Sequence, residues 1–246
     1  MDRMIYLAMT GAKYTLEQQA AVAHNLANVD TPGFKEAMHR LRAVNVQSQA
    51  LPSRAFVVDA TVATRFTEGA LQLTGRPLDV AIAGPGWFAV QTPDGGEAYT
   101  RNGAFQVDNA GVVRLPSGQA ILAEGGAPLT LPPDREYLVG GDGTINAIDP
   151  ATRQVEAVGR LRLVNPPAAQ LIRGDDGLFR LPAGAVPPAE DPAVQVRGGY
   201  LEKSNVEVVD QMVRMIALAR QFEMNTKAIK VAEEDDQRAT ALLTPR

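Results

Sequence analysis

Residues 2–28, DRMIYLAMTGAKYTLEQQAAVAHNLAN, read as one long amphipathic helix. Its apolar seam is Ile5, Met9, Ala12, Leu16, Gln19, Ala23 and Leu26, in steps that alternate four and three. That is the spacing of a helix that packs along its length, with Gln19 as the polar interruption. Ala8, Ala20 and Ala27 form a small-residue flank that lets another backbone come close. The helix is expected to stop at Asn28-Val29-Asp30-Thr31-Pro32-Gly33. Pro32 disfavours a helical Thr31, and Pro-Gly suits the centre of a type II turn.

The far end of the chain repeats the pattern. Ser204-Asn205-Val206-Glu207 reads as a capping box, with Ser204 and Glu207 exchanging side-chain and backbone bonds at a helix start. A second seam follows through Val208, Met212, Met215, Ala219, Phe222, Thr226 and Ile229, widened by Val209, Val213 and Ile216. The two helices would be roughly 40 and 55 Å long. A lone pair of alanine-rich stripes gains only about 25 cal/mol per Å² buried, against an ordering cost of about 1–2 kcal/mol per residue. With no third long helix in the sequence, the seams point to packing between molecules.

The middle has a different character. Short apolar runs alternate with turn pairs: Leu78–Ala83 then Gly84-Pro85-Gly86, Trp87–Gln91 then Asp94-Gly95-Gly96, Tyr99–Arg101 then Asn102-Gly103. Such pairs favour the positive φ angles of tight hairpins. The expected fold is therefore α+β. The terminal helices form a discontinuous, coiled-coil-like domain (1–33 plus 204–246), and residues 76–182 form an antiparallel, sandwich- or barrel-like all-β domain. Residues 34–75 and 183–203 are expected to be extended connectors.

Composition narrows the function. The chain has 246 residues, is 45% hydrophobic and carries a net charge of −4, without the basic stripe of a nucleic-acid binder. It has no cysteine, which removes disulfides, thiolate metal sites and cysteine nucleophiles. No apolar run is long enough for a membrane-spanning helix, and the N-terminus lacks a secretory apolar core with a cleavage site. Enzyme signatures fail on context. Gly84-Pro85-Gly86-Trp87-Phe88-Ala89 fits a loose dinucleotide-loop pattern, but strand and turn residues follow where a helix is required. His24 and His39 have no partners at ligand or triad spacing and read as surface or contact residues. Asp175-Asp176 precedes Gly177 in a hairpin, and Glu233-Glu234-Asp235-Asp236 lies among Lys227, Lys230 and Arg238 as a solvated helix face. No catalytic residue, cofactor, metal, nucleic acid or small-molecule substrate is expected.

Three blocks carry a resemblance. Asn25-Leu26-Ala27-Asn28-Val29-Asp30-Thr31-Pro32-Gly33-Phe34-Lys35 is similar to the N-terminal signature of bacterial flagellar rod and hook proteins. The likeness continues through Arg76–Ile82, Gly86-Trp87-Phe88 and Tyr99–Phe105, and returns in Gly199–Val206 and Arg220-Gln221-Phe222-Glu223. Asp30 and Trp87 depart from the usual residues only mildly. The opening residues are most similar to the proximal rod members, with the distal rod protein as the near alternative. A β-domain binding module on a helical oligomerisation stalk is the reading outside this family, and it would display an aromatic patch. The resemblance implies a structural subunit whose terminal helices polymerise into the torque-transmitting shaft. Its partners would be itself, the other rod proteins and the flagellar type III export apparatus. Its place would be the basal-body rod in the periplasmic space, reached without a cleaved signal peptide. Asn25, Asn28, Thr31, Pro32, Gly33 and Phe34 would be the signature turn, and the two seams the assembly interface.

Overall fold

The computed structural model describes residues 2–45, 55–133 and 135–243. The chain is α+β, with a helix at each end and antiparallel strands between them. It divides into two compact units. One comprises Met1–Val29, Glu36–Arg65 and Val206–Arg246, and the other Asp30–Lys35 and Phe66–Asn205.

In the first unit, helix α1 spans Asp2–Ala27 and helix α2 spans Val208–Leu243. They pack side by side and antiparallel, with Thr15 against Asn225 near the middle of both and Asn25 against Gln211 near the end of α1 and the start of α2. Strands β1 (Ala37–Asn45) and β2 (Ala55–Thr64) pair antiparallel, with a register shift at Arg40/Leu41. The segment expected to be a plain connector is therefore a paired ribbon that belongs with the helices. Residues 46–54 of that connector and 244–246 of the expected helical domain lie outside the described residues, as does the side chain of Asp236.

The start of α2 differs from the capping-box expectation. The Gln211 amide donates 3.0 Å to the Glu207 carbonyl, so Glu207 stands at the cap itself and Ser204 lies outside the helix. The residues between them are held extended. The Asn205 amide donates to the Phe34 carbonyl at 3.3 Å, and its side-chain nitrogen donates to the Thr67 carbonyl at 3.0 Å. At the end of α1 the expected turn forms. The Phe34 amide donates 3.2 Å to the Thr31 carbonyl, across a Gly33 with φ +69°.

The second unit is a β structure. Its largest sheet is built around strands Trp87–Gln91 and Glu97–Thr100, paired antiparallel. Both strands are covered on two faces. Phe88, Val90 and Ala98 enter one core with Phe105, Ile121 and Ile145, while Trp87, Ala89 and Tyr99 enter another with Leu122, Val164 and Phe179. Side chains alternate along a strand, so an unbroken apolar run such as Trp87–Val90 fits a strand buried on both sides. The second expected connector also joins this unit. Gln195–Gly198 pairs with Val80–Ala83, and Tyr200–Glu202 pairs with Leu71–Leu73. Residues 84–86 are a turn between strands Val80–Ala83 and Trp87–Gln91, with no helix to receive a pyrophosphate. Gly103 is required for a reason other than a hairpin angle: a Cβ there would lie 1.6 Å from the Val80 carbonyl oxygen.

Candidate assembly surface

The α1–α2 contact does not use the apolar seams throughout. On α1, the residues turned inward include Gly11, Thr15, Val22 and Asn25; on α2 they include Gln211, Leu218, Phe222, Asn225 and Ala232. Much of this contact is small or polar. The seam of α1 lies on the neighbouring face. Met9, Leu16 and Ala23 are exposed, and Ile5, Ala12 and Leu26 are half-buried. On α2, Val208, Met212 and Ala219 are exposed, whereas Met215, Phe222 and Ile229 are half-buried. The widening residues Val209, Val213 and Ile216 are exposed as well, Val209 at 73%. Val209, Met212, Val213 and Ile216 are spaced i, i+3, i+4 and i+7, so they share one helix face. A run of large apolar side chains open to solvent on one face marks an interaction surface, unlike apolar residues scattered singly.

Buried polar groups tie the helices to the ribbon. The Asn25 side chain pairs with the backbone of Ala37 in both directions. Its Nδ2 donates 2.8 Å to the Ala37 carbonyl, and its Oδ1 accepts from the Ala37 amide at 2.9 Å. Gln211 Nε2 donates 2.9 Å to Glu36 Oε1, and Gln211 Oε1 accepts from Asn25 Nδ2 at 3.4 Å. The buried Glu36 carboxylate also faces Arg65 at 3.4 Å and Arg214 at 3.5 Å. A groove of about 340 Å³ opens beside this network, with Val22, Met38, His39, Arg214 and Leu218 among its lining. His39 is thus a groove residue, and His24 is exposed on α1.

In the second unit, the three signature blocks meet. Lys35 Nζ donates to Glu202 Oε1 at 2.6 Å and to the Thr67 carbonyl at 2.9 Å. Arg101 donates to Glu202 Oε2 at 3.1 Å and to the Gly84 carbonyl at 2.7 Å, with its guanidinium 5.5 Å from the Trp87 ring centroid. The Gly69 amide completes the shell of Glu202 at 2.9 Å. All three charged side chains are buried. Burial holds the Lys35 amine below its ordinary value, and the Glu202 carboxylate opposes that shift. Gly33 is packed into the same junction. Its amide donates 2.8 Å to the Glu202 carbonyl, and a Cβ would lie 2.3 Å from the Arg101 carbonyl carbon. Of the remaining signature residues, Phe34 is buried beneath Arg173, 4.3 Å from its ring, while Asn28, Thr31 and Pro32 are half-exposed.

Sequence patterning missed Glu36, Gln211, Arg101 and Glu202, because a polar residue in an apolar pattern reads as solvent-facing. The signal that could have found three of the buried ions is their position inside the quoted blocks: Lys35, Arg101 and Glu202 contribute one from each. The single Trp is a core residue, 5% exposed, so it offers no aromatic docking patch. Among the described residues, no group of three or more His, Cys, Asp or Glu side chains could hold a metal ion, and no helix is long and apolar enough to cross a membrane.

Comparison with known proteins follows the same three blocks. The model "Flagella basal body rod protein" matches residues 5–35, "Flagellar hook protein FlgE/F/G D1 domain" matches 81–147, and "Flagellar basal body rod FlgEFG protein C-terminal" matches 197–242. These matches define the class: flagellar rod and hook proteins. The chain is 45% identical to the flagellar basal-body rod protein FlgF of Escherichia coli K12, over 99% of both chains. It is equally similar to the FlgF of Salmonella typhimurium, and 29% identical to the rod protein FlgG of Bacillus subtilis over 95% of this chain and 96% of that one. The chain belongs to the FlgF family of flagellar basal-body rod proteins.

Proposed function

We propose that this chain is a non-enzymatic structural subunit of the flagellar basal-body rod, in its proximal part. It docks through the outward faces of α1 and α2 onto copies of itself and onto other rod proteins. The observation that carries this reading is the solvent-open apolar face of α2, formed by Val209, Met212, Val213 and Ile216, with Met9 and Leu16 likewise open to solvent on α1. A heterologous contact whose rotation does not close generates an open tube, the geometry a shaft needs. The Asn25–Gln211–Glu36 network supports the reading, because it holds the helix pair through buried polar contacts and leaves those apolar side chains outside them. In this account the subunit leaves the cell through the flagellar type III export apparatus without a cleaved signal and assembles in the periplasmic space. The shaft it joins transmits torque.

Replacing Leu16 with Asp tests the interface. Leu16 is 49% exposed and is not among the residues that hydrogen-bond the helices together, so the variant should keep the melting behaviour of the parent. Basal bodies purified from cells producing it should lack the subunit. Parental incorporation of Leu16→Asp would remove the outward face as the docking surface.

A further inference from the structure

The β unit carries an apolar surface of its own. Strands Glu136–Val139, Thr144–Ile148 and Val155–Arg160 form a three-stranded antiparallel sheet in that order. Side chains alternate between its two faces. Val139, Ile145 and Ala147 are buried on the inner one. The register sets the outer face in two rows, Glu136–Ile148–Val155 and Leu138–Asn146–Ala157. Neighbouring strands lie about 4.8 Å apart, so Leu138, Ile148, Val155 and Ala157 form one patch. Leu138 is 58% exposed and Val155 63%, Ala157 is exposed and Ile148 half-buried. The solvent face of an antiparallel sheet is ordinarily polar, and an apolar cluster there marks a contact surface. The patch runs into a groove of about 440 Å³, which Leu138 and Ile148 line together with Pro77 and Leu78.

A cation stands at the end of the patch. Arg153 lies in the turn that joins Ile148 to Val155, exposed and at φ +57°, the one non-glycine residue with positive φ among the described residues. Glycine or asparagine would hold that backbone with less strain, which points to a use for the arginine side chain beyond the turn. Its guanidinium has no ion partner among the described residues. The same chain carries a complement. The hairpin Ile172–Arg180, at the edge of the largest sheet, exposes Ile172 at 57%. Asp175 stands at its tip, exposed and likewise without an ion partner among the described residues.

We propose that the outer face of the three-stranded sheet receives the Ile172–Arg180 hairpin of a second copy of this chain, with Ile172 on the Leu138–Ile148–Val155 patch and Asp175 against Arg153. Complementary charge selects the partner and fixes the register of the contact. The two surfaces differ, so the contact is heterologous and repeats from copy to copy. Four apolar side chains fall well short of the roughly 800 Å² that each partner of a stable complex buries. The contact therefore does not hold free chains together as a dimer. It acts between subunits that their helices already hold in the shaft, and in that respect the inference rests on the function proposed above.

Two measurements on the full chain test it. The chain has no cysteine, so introduced thiols are unique. Leu138→Cys and Ile172→Cys chains are produced together in one strain, and purified basal bodies are treated with a short bismaleimide. The contact joins one chain of each kind, so a covalent dimer should form in the mixture and not with either variant alone. Basal bodies that contain both chains and yield no dimer overturn the proposal, and so does an equal yield from one variant alone. The second measurement reverses the charges. Arg153→Asp and Asp175→Arg should each melt as the parent does and be depleted from basal bodies roughly threefold or more, and the double variant should recover. Parental incorporation of both single variants, or a double variant that does not recover, overturns the proposal. Failure of the proposed function looks different: the parental chain itself would then be missing from purified basal bodies.

Discussion

Glu202 is the residue on which the β unit's signature junction turns. It is one buried carboxylate between two buried cations, Lys35 and Arg101. Removing one partner of a buried ion group leaves uncompensated charge, at a cost of about 3–5 kcal/mol. Glu202→Gln should therefore lower the unfolding free energy by about that amount in urea titrations, although Gln fills the same space. Gly33 is constrained differently. Its positive φ and its approach to the Arg101 backbone leave no room for a methyl group, so Gly33→Ala should cost more than about 1 kcal/mol in the same assay. Lys35 also gives the junction a pH signature. Its folded pKa lies below the ordinary lysine value of 10.5, so between those two values the unfolded chain holds a proton that the buried amine has lost. The unfolded state binds more protons there, and stability contributed by this site rises with pH across that window. Lys35→Met should flatten that rise when unfolding free energy is followed through the alkaline range.

Asn25 acts between elements. It closes two hydrogen bonds to the Ala37 backbone and so joins α1 to β1. Asn25→Leu would leave a buried donor and acceptor unpaired, at about 1–3 kcal/mol for each group. The check is a shifted denaturation midpoint together with faster hydrogen exchange at the Ala37 amide. At this scale the sequence was partly legible. Both helices, the Thr31–Phe34 turn and the short strands around Trp87 follow from heptad steps, Pro-Gly chemistry and turn pairs, all of which are local. What stayed hidden was non-local. The pairings of Gln195–Gly198 with Val80–Ala83 and of Tyr200–Glu202 with Leu71–Leu73 join segments far apart in the chain, and the ribbon of Ala37–Asn45 with Ala55–Thr64 sits in a stretch that reads as a plain connector. The start of α2 misled for the same reason. Ser204 and Glu207 have capping-box spacing, but Asn205 is tied to Phe34 and Thr67, and that tie delays the helix to Val208. The seams were legible as apolar stripes, yet their periodicity could not say that Gly11, Thr15 and Asn225 would take the inner face. Small and polar side chains allow close helix approach without an apolar signal.

For the molecule as a whole, the central point is a helical unit whose inner contacts are substantially polar and whose apolar face is left open. A chain that folded to be solitary would turn Val209, Val213 and Ile216 inward and leave Gln211 and Asn225 outside. The arrangement is the reverse, and it makes sense for a subunit completed by neighbours. Because the chain has no cysteine, one can be introduced as a unique reporter. Ile216→Cys, placed on the open face of α2, is the most direct probe: its alkylation rate is compared in the free subunit and in intact basal bodies containing it. The account predicts rapid labelling of the free chain and protection by roughly tenfold or more in the assembled rod, as access controls thiol reaction. Equal labelling in the two states would contradict it.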